Sequence, residues 1–543
     1  MNRLSTVALP LLLISLLTQA FSQNECAVEA YAKVSDTQGG FLGGLNDTDR
    51  FGGSVASLGD LDGDGIGDVA VGAYQDSDDL FWSGAVWILF LNLDGSVRSW
   101  QRISEGSGGF SGLSVGVQFG WTVAHLGDID LDGVADLAVG APWTNTGGPI
   151  RGSSHVLFLN PNGTVRQHVE HSSVAGFAGP IDDGDRFGSA VAGIGDLNGD
   201  GIQDLAVGAT YDDGGGPDRG AVWILFLDAS GSVLSYREID DSRGQLGLQD
   251  DDGFGAAICG LGDVDGDGVR DIAVGADRDD TGGTQRGAVW ILFLNGDGSL
   301  KAKQKIASGT GGFQGVLEDF NGFGSGLTSQ GDLDEDGIPD LAVGVWRDND
   351  GIGSNVGAVW TLSLNSDGTV KGHSKISATS GGFSYPLVDN NWFGSGISYL
   401  GDHDGDGTVD LIAGAMGDDD GGADYLANRG AAFVLFLQDE LRLDGLSKDR
   451  GGFLGGSSIR LTGQGFNPAT QVTFGGVSAT SVQYVDDRHL DVIVPPTSEI
   501  PGPSFGSGNP QPARVGTRSV DVRVLHESCE STLEDGYTYV AKH

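Results

Sequence analysis

The organisation of the chain is decided by one stretch: Phe51-Gly52-Gly53-Ser54-Val55-Ala56-Ser57-Leu58-Gly59, then Asp60-Leu61-Asp62-Gly63-Asp64-Gly65-Ile66-Gly67-Asp68, then Val69-Ala70-Val71-Gly72-Ala73. A short strand enters an acidic loop and a second strand leaves it. Phe-Gly recurs at Phe119-Gly120, Phe187-Gly188, Phe254-Gly255, Phe323-Gly324 and Phe393-Gly394. Each copy leads to an acidic loop, and the loops open at Asp60, Asp128, Asp196, Asp263, Asp332 and Asp402, spaced 68, 68, 67, 69 and 70 residues apart. Six tandem copies of one supersecondary unit follow from that regularity.

Within a unit the pattern predicts four strands: Phe51 to Leu58, Val69 to Ala73, Ala85 to Leu91 and Val97 to Ile103. The third, Ala85-Val86-Trp87-Ile88-Leu89-Phe90-Leu91, is apolar on both faces, as a strand sandwiched between neighbouring sheets must be. The fourth alternates polar and apolar residues, and Asp94-Gly95 between the two supplies a tight hairpin turn, as do Asn162-Gly163, Ser230-Gly231, Asp297-Gly298 and Asp367-Gly368. The sixth unit lacks a matching fourth strand after Phe433 to Leu437. Tyr31 to Ser35, followed by Gly39-Gly40-Phe41, resembles the other fourth strands, so the first strand of the chain is expected to complete the last sheet and close a ring without free edges. The expected fold class is all-β: a six-bladed propeller over 23–440, closed by an N-terminal strand.

The first loop carries carboxylates at positions 1, 3, 5 and 9 and glycine at position 6. Alternate residues turn three carboxylates inward, glycine permits the sharp bend, and the carbonyl at position 7 can add an oxygen, which suits hard Ca²⁺ with its six to eight oxygen ligands. The candidate ligands are Asp60, Asp62, Asp64, Ile66 and Asp68; Asp128, Asp130, Asp132, Val134 and Asp136; Asp196, Asn198, Asp200, Ile202 and Asp204; Asp263, Asp265, Asp267, Val269 and Asp271; Asp332, Asp334, Asp336, Ile338 and Asp340; and Asp402, Asp404, Asp406, Thr408 and Asp410. About one Ca²⁺ per loop is expected. An EF-hand is excluded, because position 12 holds Val71 in place of glutamate and the flanks are strands.

Phe-Gly, the acidic loop, and Val71-Gly72-Ala73 with Ala141-Pro142 resemble, in order, the FG-GAP repeat of integrin α-chain propellers over about residues 27–440. The resemblance implies calcium in hairpin loops on one face and ligand binding on the opposite face. The chain departs from that family in having six units where it has seven, and in lacking a membrane-spanning leg. Residues 441–543 resemble an IPT/TIG domain, an immunoglobulin-like sandwich, through Gly463-Gln464-Gly465-Phe466, Phe474-Gly475-Gly476, Val492-Ile493-Val494-Pro495-Pro496 and Tyr537-Thr538-Tyr539. The alternation in Val520-Asp521-Val522-Arg523-Val524 supports strands there independently, and Ser498 to Ser519 reads as a long loop.

With 75 Asp+Glu against 30 Lys+Arg, the net charge of −45 argues against nucleic acid or an anionic membrane as a partner and for cations. Residues 1–22 read as a secretory signal: Arg3, an apolar run from Val7 to Leu17, and Ala20-Phe21-Ser22 before the cleavage point. No later stretch is apolar enough to insert into a membrane. The expected localisation is secreted; Asn46-Asp47-Thr48 and Asn162-Gly163-Thr164 match the glycosylation acceptor pattern, and the sequence does not decide whether they are used. Of the three cysteines, Cys259 sits in a strand position held by alanine in other units and reads as a small buried thiol, so Cys26 and Cys529 remain the one candidate pair.

No residue set reads as catalytic. His155 replaces the tryptophan of its unit and His403 occupies a non-ligand position of a loop. The aromatic column Trp87, Trp223, Trp290, Trp360 and Phe433 reads as inter-blade core before it reads as a carbohydrate platform. Recognition is assigned to the variable loops before each third strand: Asp76 to Trp82, Pro142 to Ile150, Asp212 to Asp218, Asp277 to Gln285, Trp346 to Asn355 and Gly417 to Asn428. The functional expectation is a secreted, non-catalytic, calcium-binding recognition or adhesion module with an extracellular protein or glycan ligand. The alternatives are a passive calcium-stabilised matrix or surface component and, more distantly, a hydrolase on a propeller scaffold.

Overall fold

In the computed structural model, residues 28–540 are described except for 178, 335, 421–426, 439–441, 467, 487, 497, 499–516 and 527–528. The leader at 1–22, Cys26 and most of the loop at 498–519 lie outside the described residues. Every element among the described residues is a strand.

Six antiparallel four-stranded sheets form the first body, each a simple meander. Blade 1 comprises Phe51–Gly59, Asp68–Ala73, Ala85–Leu91 and Val97–Ile103. The first strands of successive blades touch one another all the way round, blade 6 against blade 1 included, so they line the axis and the fourth strands lie outermost. Blade 6 takes its outer strand from the start of the chain: Val28–Val34 pairs antiparallel with Ala431–Leu437 in the register Val34↔Ala432. The observed strand begins three residues earlier than its sequence signal at Tyr31. Closure is locked by charge as well as by the ladder, for Lys33 Nζ lies 2.8 Å from Asp418 Oδ1 with both side chains buried. Burial opposes the Lys33 charge, yet Asp418 outweighs it and holds the ammonium above its ordinary value.

The Phe-Gly signature has a steric reason. Gly52 has φ +85°, and a Cβ there would meet the Ala431 carbonyl oxygen at 2.2 Å; a Cβ on Gly72 would lie 2.1 Å from the Gly120 carbonyl oxygen of the next blade. The glycines of both motifs are therefore one inter-blade contact, where two backbones approach too closely for any side chain. Beside it, the phenylalanine of each unit is fully buried, and Gly84↔Phe119 and its counterparts bridge blade to blade around to Gly430↔Phe51. In blades 2 and 5 the first strand starts only at Thr122 and Gly326, so Phe119 and Phe323 make that bridge alone.

The third strands Ala85–Leu91, Ala221–Leu227 and Ala288–Leu294 are buried at every residue. The column Trp87, Trp223, Trp290, Trp360 and Phe433 is between 0 and 4% exposed, which makes it inter-blade core. Cys259 is also buried, and burial pushes its thiol up to about 12. The second body is a sandwich of a four-stranded and a five-stranded sheet within 442–540, packed around Leu461, Phe474, Val492, Val522 and Tyr537.

Candidate functional site

Each acidic loop joins the axial strand of its blade to the second strand, so all six lie at one end of the ring. Asp60 closes the first loop: its carboxylate accepts the amides of Gly63 at 2.7 Å, Asp64 at 2.9 Å and Gly65 at 2.8 Å. The Ile66 amide donates to Asp64 Oδ1 at 2.9 Å, and Val134, Ile202, Val269, Ile338 and Thr408 donate to Asp132, Asp200, Asp267, Asp336 and Asp406 in the same way. This amide wiring shapes the loop so that neighbouring carboxylates converge. One oxygen each of Asp60, Asp62 and Asp68 lies within 4.8 Å of the others, as do those of Asp128, Asp130 and Asp136 and of Asp263, Asp265 and Asp271. In blades 5 and 6 the converging sets are Asp332, Asp334 and Asp336, and Asp402, Asp404 and Asp406. Blade 3, with Asn198 at position 3, has no such triad among the described residues.

Position 9, a candidate ligand by spacing, is also a buried brace. Asp68 is fully buried, and its two oxygens accept the amides of Leu61 at 3.0 Å and Leu91 at 3.2 Å, which ties the loop to the third strand. Asp136, Asp204, Asp271, Asp340 and Asp410 repeat both bonds. Burial, opposed by the two amides, pushes the Asp68 and Asp136 carboxyls up to about 7 and the other four to about 6, and the neighbouring loop carboxylates add to the upward push. This residue supports the loop from below while contributing to the carboxylate triad in blades 1, 2 and 4.

Cations on the outer strands reach the same loops. The Arg98 guanidinium bridges Asp62 (2.5 Å) and Asp64; Arg166 bridges Asp130 (2.5 Å) and Asp132 (3.0 Å); Lys301 bridges Asp265 (2.6 Å) and Asp267 (2.5 Å); Lys371 bridges Asp334 (2.9 Å) and Asp336. The corresponding residue is Leu234 in blade 3, beside the loop with one carboxylate fewer, and Glu29 in blade 6. Sequence reasoning missed this row. Its signal was the second residue of each fourth strand, basic in four units.

Does this donor set fit Ca²⁺? It consists of oxygens alone, three of them converge in five loops, and Asp130 Oδ1 and Asp265 Oδ1 are buried without a hydrogen-bond partner. Hard-cation chemistry matches each of these features. His403 stays outside the set: its Nε2 lies 3.0 Å from the Asn92 carbonyl oxygen, and its own amide donates to Asp410. His155 is buried in the blade 2 wall, where burial drives its imidazole down to about 3.

The FG-GAP repeat family matches residues 51–89, 119–157, 187–225 and 254–292, and the IPT/TIG domain family matches residues 443–538. This is an FG-GAP repeat protein with a C-terminal IPT/TIG domain. Blades 5 and 6 of the FG-GAP ring lie beyond the matched repeats, yet they repeat the loops and strand order of the other four. Integrin alpha pat-2 of Caenorhabditis elegans is 31% identical over 246 residues, covering 42% of this chain and 18% of that one. Integrin alpha-PS2 of Drosophila melanogaster is 33% identical over 246 residues (43% and 16%), and integrin alpha-3 of Cricetulus griseus 34% over 193 residues (36% and 17%). The chain thus spans less than a fifth of the length of these curated relatives.

Proposed function

We propose that this protein is an exported, calcium-binding recognition or adhesion module with no catalytic role. Residues 1–22 serve as its leader, 23–440 as the propeller and 441–543 as the sandwich. The observation that carries the calcium reading is the convergence of three carboxylate oxygens within 4.8 Å in five loops at one end of the ring. At each loop the ligands are the residues at positions 1, 3, 5 and 9 with the position 7 carbonyl, position 9 also bracing the loop from beneath. Such loops spend the metal on rigidity, since most of its coordination is taken by protein oxygens and little is left to activate a substrate.

Recognition falls to the opposite end. There the connections before the third strands differ in sequence from blade to blade on a repeating frame, which is how loops on a rigid scaffold vary a binding surface without altering the fold. The relatives are integrin α chains, in keeping with an extracellular partner of protein or glycan nature. No helix among the described residues is long and apolar enough to cross a membrane. The test is saturable binding of the purified protein to cell surfaces or extracellular matrix, measured with calcium and with chelator. Saturable binding that chelator abolishes is the expected result. Its absence on every surface would refute the reading, as would turnover of a glycan, ester or phosphodiester that a single point mutation removes.

A further inference from the structure

At the end of the axis away from the acidic loops, the chain gathers arginine and aromatic side chains. The residue preceding each Phe-Gly position enters this mouth in the left-handed region: Arg50 (φ 62°), Gln118 (57°), Arg186 (60°), Gly253 (66°), Gly322 (70°) and Trp392 (54°). The second strands end at the same mouth, bringing Trp143, Tyr211, Arg278, Trp346 and Arg347 beside them. Where glycine stands at the first position, the neighbour fills in: Arg278 lies over Gly253 and Trp346 over Gly322.

The guanidinium groups are stacked on the rings. Arg186 lies 4.3 Å from the Trp143 ring centre and 3.9 Å from that of Tyr211, Arg278 lies 4.4 Å from Tyr211, Arg347 4.3 Å from Trp346, and Arg50 4.5 Å from Trp392. The Trp346 and Trp392 ring centres lie 5.6 Å apart, which joins the Arg347 stack to the Arg50 stack. On a chain with 75 acidic residues, a cation finds a carboxylate easily, and Arg102, Arg219, Lys305 and Lys375 all have one. Arg50, Arg186 and Arg347 have none within ion-pair distance among the described residues, and Arg50 donates only to the neutral Gln75 and Asn428. Asp277 is 3.8 Å from Arg278, and at longer range Asp277 also acts on Arg347, Asp218 on Arg278 and Asp419 on Arg50. Of these four guanidinium groups, one is ion-paired among the described residues. Two further polar atoms at this end, Gln118 Oε1 and Trp143 Nε1, are buried and unpartnered, and Gln118 is only 7% exposed.

We propose that this mouth is the recognition site of the propeller and that it binds the carboxylate side chains of an acidic protein segment. The proposal rests on the recognition reading above and names its chemistry. A guanidinium laid flat on an aromatic ring keeps its N–H edges free, and those edges match a carboxylate in bidentate fashion. Trp143, Tyr211, Trp346 and Trp392, whose faces a sugar would need for stacking, each already carry a guanidinium, which favours an acidic peptide over a glycan. The surrounding negative surface repels the same segment everywhere else, so charge confines binding to the mouth.

The experiment titrates the intact protein in saturating calcium with fluorescent hexaglutamate, with hexaglutamine and trigalacturonate as comparison probes. Capture on cells is measured in parallel. Saturable binding of hexaglutamate alone is expected, and it should weaken about tenfold in Arg186→Gln and again in Arg347→Gln, as for loss of a charge-assisted pair. Arg237→Gln, on the outer strand, should leave it unchanged. Arg347 carries the test if Arg186→Gln disturbs packing, because Arg347 touches only Trp346 among the rings. Failure of hexaglutamate to bind, undiminished binding in both variants, or tighter binding of trigalacturonate would each overturn the proposal. If cell capture persists while hexaglutamate fails, only the acidic-segment assignment falls; if both fail, the recognition reading falls with it.

Discussion

Blade 3 breaks a charge rule that four other blades keep, and repairing it should stabilise the ring. On the outer strand, the residue paired across from the core aromatic is Arg102 in blade 1, Lys305 in blade 4, Lys375 in blade 5 and Lys33 in blade 6. Each reaches an aspartate of the facing loop: Arg102 to Asp76 at 2.5 Å, Lys375 to Asp348 at 3.0 Å, Lys33 to Asp418 at 2.8 Å, and Lys305 to Asp279. In blade 3 the same position, opposite Trp223, is Glu238, and it faces Asp212. Burial first, then Asp212, Asp240 and Asp185, pushes Glu238 from 4.5 up to about 7. Burial and neighbouring aspartates likewise carry Asp212 to about 6 and Asp185 to about 7. A raised folded-state value means that the native chain holds more protons than the unfolded one, so the stability linked to these groups is full below about pH 4 and lost as pH rises through 7. Glu238→Lys removes one of them and pairs Asp212. The Glu238 shift sets a ceiling of about 3 kcal/mol at 1.36 kcal/mol per unit, and screening of this part-exposed side chain reduces it to about 2 kcal/mol. One kcal/mol moves Tm by about 2–4 °C in a domain of 150–250 residues, hence by about half that in this larger ring, and the variant should gain about 2–4 °C. The assay is thermal unfolding followed by circular dichroism in excess calcium at pH 8 and pH 5. The gain should appear at pH 8 and shrink at pH 5, where Glu238 is already protonated. No gain at pH 8, or an equal gain at both values, would refute the charge argument.

Three further outcomes are expected. Arg98→Ala frees Asp62 and Asp64 from an exposed ion-pair bridge worth about 0.5–1.5 kcal/mol, so calorimetric titration should show one loop binding calcium about threefold to tenfold more tightly, whereas Leu234→Arg should weaken blade 3; unchanged affinities would count against competition between side chain and metal. Removing residues 28–35 strips the outer strand from Ala431–Leu437 and leaves Asp418 buried without Lys33, and light scattering should report association through the exposed edge; a monodisperse, fully folded product would contradict the closure. Trp223→Ala, at a site 1% exposed, should cost about 3–5 kcal/mol in denaturant unfolding, and a loss below about 1 kcal/mol would mean the column is not core.

Blade number, closure and the acidic loops were legible in the sequence because they depend on local period: Ala85 to Leu91 can only be an interior strand, and the loop spacing repeats six times. What the sequence hid depends on contacts that the ring creates. Arg98 lies 36 residues beyond Asp62 and meets it only after two hairpins have folded. The burial of Asp68 was hidden for a similar reason, since it follows from the docking of the third strand, whose Leu91 amide it accepts. The mouth was still less visible: Arg50 stacks on Trp392 only because blade 6 closes on blade 1.

The two ends of the ring are linked by that closure. The contact between Gly72 and the Gly120 carbonyl, repeated from blade to blade, leaves no room for a sliding or opening motion between neighbours without breaking the buried phenylalanine bridge next to it. A cation bound at one end would therefore have little to move at the other, and would act on the arginine mouth by holding six strand entries at fixed separation. It follows that calcium should change the affinity of the mouth through the folded population, by mass action, and leave the binding chemistry of an already folded ring unaltered.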